Sequence, residues 1–152
     1  MAYLKVYRIP REDGTKVELP VYGTPGSACM DIFSGNLEDI VIKQKEVVFV
    51  PTGLKVEIEP GYCMKFQNRS SMGSKNNVQL AHCTGIIDSD YRGELLVPLY
   101  NRGNRAFVVT PGMKICQAEI TEVIPVEMTE VESESDLSDT KRGTGGFGST
   151  GV

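Results

Sequence analysis

What most limits the fold of this chain is how its apolar residues are parcelled. The segments "YLKVYRI" (3–9), "DIVIKQ" (39–44), "EVVFVP" (46–51), "GLKVEIEP" (53–60), "GYCMKFQ" (61–67), "VQLAHC" (78–83), "GELLVPLYN" (93–101), "AFVVTPG" (106–112) and "MKICQAEITEVIPVEM" (113–128) are short and rich in Val, Ile, Phe and Tyr. Gly, Pro or Asn punctuates most of them. Several alternate, as "LKVEIE" does, which sends successive side chains to opposite faces of a strand. No helical period competes: only "SSMGSKNN" (70–77), opening on serines suited to an N-cap, predicts a turn or two of helix. Short strands at intervals of about ten residues predict an all-β sandwich or barrel. There is no internal repeat, and 152 residues suit a single domain with its own core.

The pattern stops near residue 129. "TEVESESDLSDTK" (129–141) is acidic and poor in apolar residues, so it reads as an extended, solvated linker. Beyond it lies "RGTGGFGSTG" (142–151). Glycine- and serine-rich ends are usually flexible tails, but a phenylalanine between glycines and an arginine at the hinge are of no use to a plain tail. A linker of a dozen residues reaches up to about 40 Å when extended, far enough to act on a neighbouring subunit. The expected layout is a core over 1–128, an acidic linker over 129–141 and a glycine-rich lid over 142–152.

Charge and cysteine usage narrow the function. With 16 basic against 20 acidic residues the net charge is -4, which argues against a surface that holds nucleic acid polymer by counterion release. Any phosphate chemistry is therefore local. The N-terminus has neither a basic n-region nor an apolar h-region, and no apolar run approaches a membrane span. The expectation is a soluble, unexported protein with no membrane partner, cytoplasmic or nuclear, or in the host cytoplasm if viral. Cys29, Cys63, Cys83 and Cys116 are widely spaced with one histidine, His82, so reduced thiols are expected over a zinc site or disulfides.

Two stretches carry candidate chemistry. In "GIIDSDYRGEL" (85–95), Asp88 and Asp90 flank one serine. They read either as turn formers or, since Asp88 follows two isoleucines, as a carboxylate at the rim of an apolar wall, a setting that favours a general base. "NRSSMGSK" (68–75) offers Arg69 with the hydroxyls of Ser70 and Ser71 where a strand gives way to a helix, an arrangement suited to an anion. Asp31 in "GSACMDI" is a single acid and says little by itself.

Taken in order, "SACMDI", "NRSSMGSK", "GIIDSDYRGEL", "GMKICQAEI" and "RGTGGFGSTG" resemble the five motifs of the trimeric dUTP pyrophosphatases (dUTPases), over almost the whole chain from Gly26 to Gly151. The resemblance implies a β-jelly-roll sandwich, a homotrimer whose C-terminal arm is exchanged between subunits, and active sites built from three chains. It implies hydrolysis of dUTP to dUMP and pyrophosphate by water attack on the α-phosphorus, assisted by Mg²⁺, lowering dUTP and supplying dUMP for thymidylate synthesis. The roles carried over are Asp88 as the base for the water, and Tyr91 against the deoxyribose, excluding a 2'-hydroxyl. The hairpin from His82 through Gly85 to Ile87 reads uracil with its backbone. Arg69, Ser70 and Ser71 hold the phosphates, with Gln117 in the water and phosphate network and Asp31 touching Mg²⁺ through its waters. From the third chain come Arg142 on the phosphates, Phe147 over the uracil, and Gly148, Ser149 and Thr150 around the γ-phosphate.

Some positions depart from the family pattern. Cys29 stands where glycine is usual, Asn68 where proline or alanine is frequent, a change read as neutral, and His82 is uncommon on a uracil hairpin, its side chain a bystander if the backbone does the reading. Two rival functions are a non-catalytic trimer that senses nucleotide and a dCTP deaminase. The related deaminases use a glutamate where this chain has Pro98, and proline cannot act as an acid or base.

Overall fold

All the ladders are antiparallel in the computed structural model, which describes residues 2–146. The strands are β1 (Leu4–Arg8), β2 (Val21–Tyr22), β3 (Met30–Phe33), β4 (Ile40–Ile42), β5 (Val47–Pro51), β6 (Leu54–Ile58), β7 (Tyr62–Gln67), β8 (Val78–Leu80), β9 (Gly85–Ile87), β10 (Leu96–Asn101), β11 (Phe107–Val109) and β12 (Lys114–Glu122). One helix, α1 (Ser70–Asn76), interrupts them. The largest sheet runs β2-β3-β12-β7-β9, a second runs β5-β10-β8, and the pairs β1-β6 and β11-β4 complete the jelly-roll sandwich.

Alternation produces the core as the sequence leads one to expect. On β6, Leu54, Val56 and Ile58 point inward while Lys55 is exposed and Glu57 half-buried. They meet Ile32, Val50, Met64, Phe66, Leu80 and Val97 from the other strands in one cluster. Each such side chain contributes about 1.5–3 kcal/mol by leaving water. Three strands lie outside the expected segments: β2, β3 and β9, of two, four and three residues. Runs that short carry too few alternations to register. Conversely the segment 113–128 pairs only as far as Glu122.

The helix forms where expected, but its serines lie inside it. Arg69 is the N-cap residue, extended at φ -80 and ψ 132, and makes no side-chain cap bond. Buried Met72 anchors the helix, and Asn77 ends it in the left-handed region at φ 54, donating its N–H to the Met72 carbonyl. After β12 the chain is exposed through residue 144, with one 3-10 turn at Glu134–Asp136 that Ser133 caps by accepting the Ser135 N–H. All four cysteines are free. Among the described residues no helix is long and apolar enough to cross a membrane.

Candidate functional site

Strand β7 organises the candidate residues, with β12 and β3 on one edge and β9 on the other. At its C-terminal end, Gln67 pairs with Gln117 of β12, which pairs in turn with Asp31 of β3, so three polar residues form a row across the sheet. The chain then leaves the strand, and Arg69 lies back over that row. Arg69 Nε donates to Asp31 Oδ1 at 3.1 Å and Nη1 to the Lys114 carbonyl at 3.1 Å. Lys114 Nζ takes the other Asp31 oxygen at 2.7 Å. One carboxylate thus holds two cations in a partly buried corner, and its own charge does not cancel theirs. Gln117 Nε2 donates to the Asn68 carbonyl at 3.1 Å, and Ser70 and Ser71 follow at the first turn of α1.

Lys114 has no counterpart among the sequence-derived candidates. Its register shifts by a β-bulge between Lys114 and Cys116, and a bulge re-aims the side chain beside it. Alternation alone therefore gives no signal for the Lys114–Asp31 contact. Cys116 itself is buried, and burial pushes its thiol well above the usual range, despite the nearby Arg69 guanidinium. Burial of this kind disfavours the thiolate that a nucleophilic cysteine needs.

The donor set also defines what cation this corner suits. Among the described residues no three His, Cys, Asp or Glu side chains are grouped to hold a metal, and Asp31 has both oxygens engaged. That arrangement fits an ion that keeps its hydration shell and is carried by phosphate oxygens, with Asp31 meeting its waters, as Mg²⁺ does in nucleotide sites.

On the other edge of β7, β9 pairs so that Gly85 faces Phe66 and Ile87 faces Met64. A cavity of about 390 Å³ opens there, lined among others by Phe66, His82, Gly85, Ile87, Asp88 and Tyr91. A Cβ at Gly85 would come within 2.7 Å of His82 Cε1, so any larger residue there displaces the ring. The exposed His82 ring thus lies close to the Gly85 backbone. Asp88 both opens a turn, its carbonyl accepting the Tyr91 N–H at 3.2 Å, and lines the cavity beside buried Ile87. Asp90 does not line it. Tyr91 is folded back, its Oη donating to the Glu94 carbonyl at 3.0 Å over Gly93, where any Cβ would collide with the phenol.

The hairpin meets the Arg69 corner where Gly85 pairs with Phe66, one residue before Gln67. Asp88 lies farther along, next to the Ile87–Met64 pair and beside Cys63. Arg142 belongs to neither group: it is exposed, and its Nε donates to the Gly145 carbonyl of its own turn at 2.8 Å. Phe147, Gly148, Ser149 and Thr150 lie outside the described residues.

Comparison with known proteins gives a consistent picture. The family model described as dUTPase matches residues 15–151. The deoxyuridine 5'-triphosphate nucleotidohydrolase of Fusobacterium nucleatum is 42% identical over 144 residues, covering 95% of each chain. That of Pseudomonas entomophila is 42% identical over 140 residues, 91% of each. Among solved structures, the dUTPase of Staphylococcus bacteriophage 80alpha with dUPNHPP superposes with a TM-score of 0.80 at 25% identity, over 99% of both chains. A mutant dUTPase from phage phi11 of S. aureus, described with a structural Mg(II) ion, gives 0.74 at 23% identity over 88% of this chain and 99% of that one.

Proposed function

This chain belongs to the dUTPase family, and from that premise we propose that it hydrolyses dUTP to dUMP and pyrophosphate as a homotrimer, with each active site shared among three subunits. The observation that carries the function is that Asp88 and Tyr91 line one cavity with the His82–Ile87 hairpin in a chain matched by the family over residues 15–151. What supports the sharing is the exposed stretch after β12, long enough to carry Arg142 to a neighbouring subunit. Residues 1–128 form the core, 129–141 the linker and 142–152 the lid.

In this reading the base lies on the hairpin between His82 and Ile87, whose backbone N–H and C=O groups pair with the uracil edge. Cytosine presents a donor where an acceptor is needed, and the mismatch leaves polar groups unpaired. Tyr91, held over Gly93, packs against the deoxyribose and leaves no space for a 2'-hydroxyl. From another subunit, Arg69, Ser70 and Ser71 hold the phosphates. The Asp31 carboxylate keeps the guanidinium aimed, and Gln117 steadies the water and phosphate network. When bound, Mg²⁺ neutralises charge on the phosphate oxygens, with Asp31 against its waters.

Asp88 takes a proton from the attacking water as its oxygen bonds to the α-phosphorus. The bond from the α-phosphorus to the α–β bridging oxygen breaks, and pyrophosphate leaves with the electron pair. Donors at the bridge favour the transition state over bound substrate. Arg142, Phe147, Gly148, Ser149 and Thr150 of the third chain close the site, and exclude bulk water. Pro98 is buried on β10 opposite Phe49, which supplies no acid or base for a deaminase.

The test is to incubate protein and Mg²⁺ with dUTP, dCTP, dTTP and UTP separately, and to measure pyrophosphate and ammonia. Pyrophosphate from dUTP alone is expected. Asp88→Asn should lower kcat by about 10²–10⁴ while dUTP still binds. Ammonia from dCTP would restore the deaminase, and binding without turnover would make this a nucleotide sensor.

A further inference from the structure

The hairpin of residues 78–87 crosses between two sheets and is pinned at two points, one of them outside the motifs' usual chemistry. Its outgoing strand β9 is laddered to β7, with Phe66 opposite Gly85. Its incoming strand β8 is laddered to β10, with Leu99 opposite Leu80. Ala81 donates its N–H to the Pro98 carbonyl at 2.9 Å, whereas Leu80, fully buried, donates to Asn68 Oδ1 at 2.6 Å. A buried amide without water needs such a partner. Between the pins sits the turn Ala81–Thr84, in which Cys83 holds φ 62, a left-handed conformation that a side chain adopts at a cost.

The same residue faces the opposite way through its main chain. The Asn68 carbonyl accepts the Gln117 Nε2 at 3.1 Å, and the next residue is Arg69. Asn68 therefore ties the turn to the corner that holds Asp31, Arg69 and Gln117. Proline or alanine at this position offers no side-chain acceptor, so the substitution read as neutral from sequence creates a contact of its own.

We propose that Asn68 is a positioning residue for base selection: its side chain sets the height of the Ala81–Thr84 turn against the end of β7. The proposal rests on the reading above, in which that turn reads the base. Removing the acceptor leaves the Leu80 amide unpaired and lets the turn shift, so uracil and cytosine are met by less sharply placed groups. Losing a buried partner of this kind corresponds to about a tenfold change in an equilibrium.

The experiment compares kcat/KM for dUTP and dCTP, with Mg²⁺, in wild type, Asn68→Ala, Asn68→Asp and Asn68→Gln, alongside hydrogen exchange of the Leu80 amide. Asn68→Ala should narrow the dUTP-to-dCTP ratio by about tenfold and lose the Leu80 protection. Asn68→Asp keeps an oxygen in place and should restore both. Its added charge falls on both triphosphates alike and cancels in the ratio. If the alanine variant does not fold, Asn68→Gln, which displaces the acceptor by one methylene, should show the same narrowing. A ratio within about twofold of wild type in Asn68→Ala or Asn68→Gln overturns the proposal, as does an aspartate variant as impaired as alanine. Wild-type protein with no preference for dUTP would overturn the reading of the turn instead, and Leu80 exchange would still report whether Asn68 holds it.

Discussion

Strand β12 and the segment that follows it share a sequence pattern and end in opposite surroundings. Along β12, Ile115, Cys116 and Ala118 are buried between β3 and β7. Past the Val123 N–H, which donates to the Gly61 carbonyl at 2.8 Å, the apolar residues continue at every second position, yet Ile124, Val126 and Met128 are 79%, 79% and 91% exposed. Alternation states which side chains need cover and says nothing of what provides it. For the first stretch the cover is in the same chain. For the second, the described residues of this chain provide none, a neighbouring copy would supply it in the proposed trimer, and Pro125, which cannot donate to a ladder, marks the change.

The comparison can be broken most severely by putting charge where the cover should be. The double variant Ile124→Asp with Val126→Asp should dissociate the trimer in sedimentation analysis and lower dUTP turnover by roughly 10²–10⁴, since Asp88 is then parted from its phosphates. A charged variant that remains a fully active trimer would show that these residues face water in the assembly too. Next in size is removal of residues 142–152. With the donors of the lid gone, kcat/KM should fall by about 10²–10³, while the melting temperature stays that of the full chain, because among the described residues Arg142 bonds only to its own turn. A large drop in melting temperature would mean that the lid is part of the packed structure.

A smaller effect sharpens the contrast from the sandwich side. Gly85→Ala should raise KM for dUTP about tenfold by driving the His82 ring off the hairpin, with a coupling between the two sites of about 0.5–3 kcal/mol. The double variant Gly85→Ala with His82→Ala should then recover most of the loss, because the ring that met the new Cβ is gone. If it does not recover, the glycine serves the backbone itself and the histidine is incidental.

These cases show where the sequence was legible. Strand β6 declares itself by an alternation over five residues, and β10 by an apolar run of similar length. The motif-bearing strands β3 and β9 are too short to do so and were found as chemistry, through Asp31 and Asp88, before they were found as strands. The Arg69–Asp31–Lys114 corner was legible in two of its members. The third is turned by a bulge whose position depends on pairing between residues some eighty apart in sequence. The contacts of Asn68 and His82 carry no sequence signal for a related reason: each involves a backbone group of another element, and a contact to Leu80 N–H or across Gly85 leaves no mark in side-chain spacing.

The exposed stretch after β12, long enough to carry one chain's end to another subunit, has a genetic counterpart. If a working site draws its base from one subunit and its phosphate grip from another, two differently damaged chains can repair each other. Chains carrying Asp88→Asn mixed equally with chains carrying Arg69→Ala would assemble at random, and about a quarter of the sites would receive both residues intact. Alleles that are each inactive alone would then complement in a cell that makes both, and either one expressed beside the wild type would poison only part of each trimer.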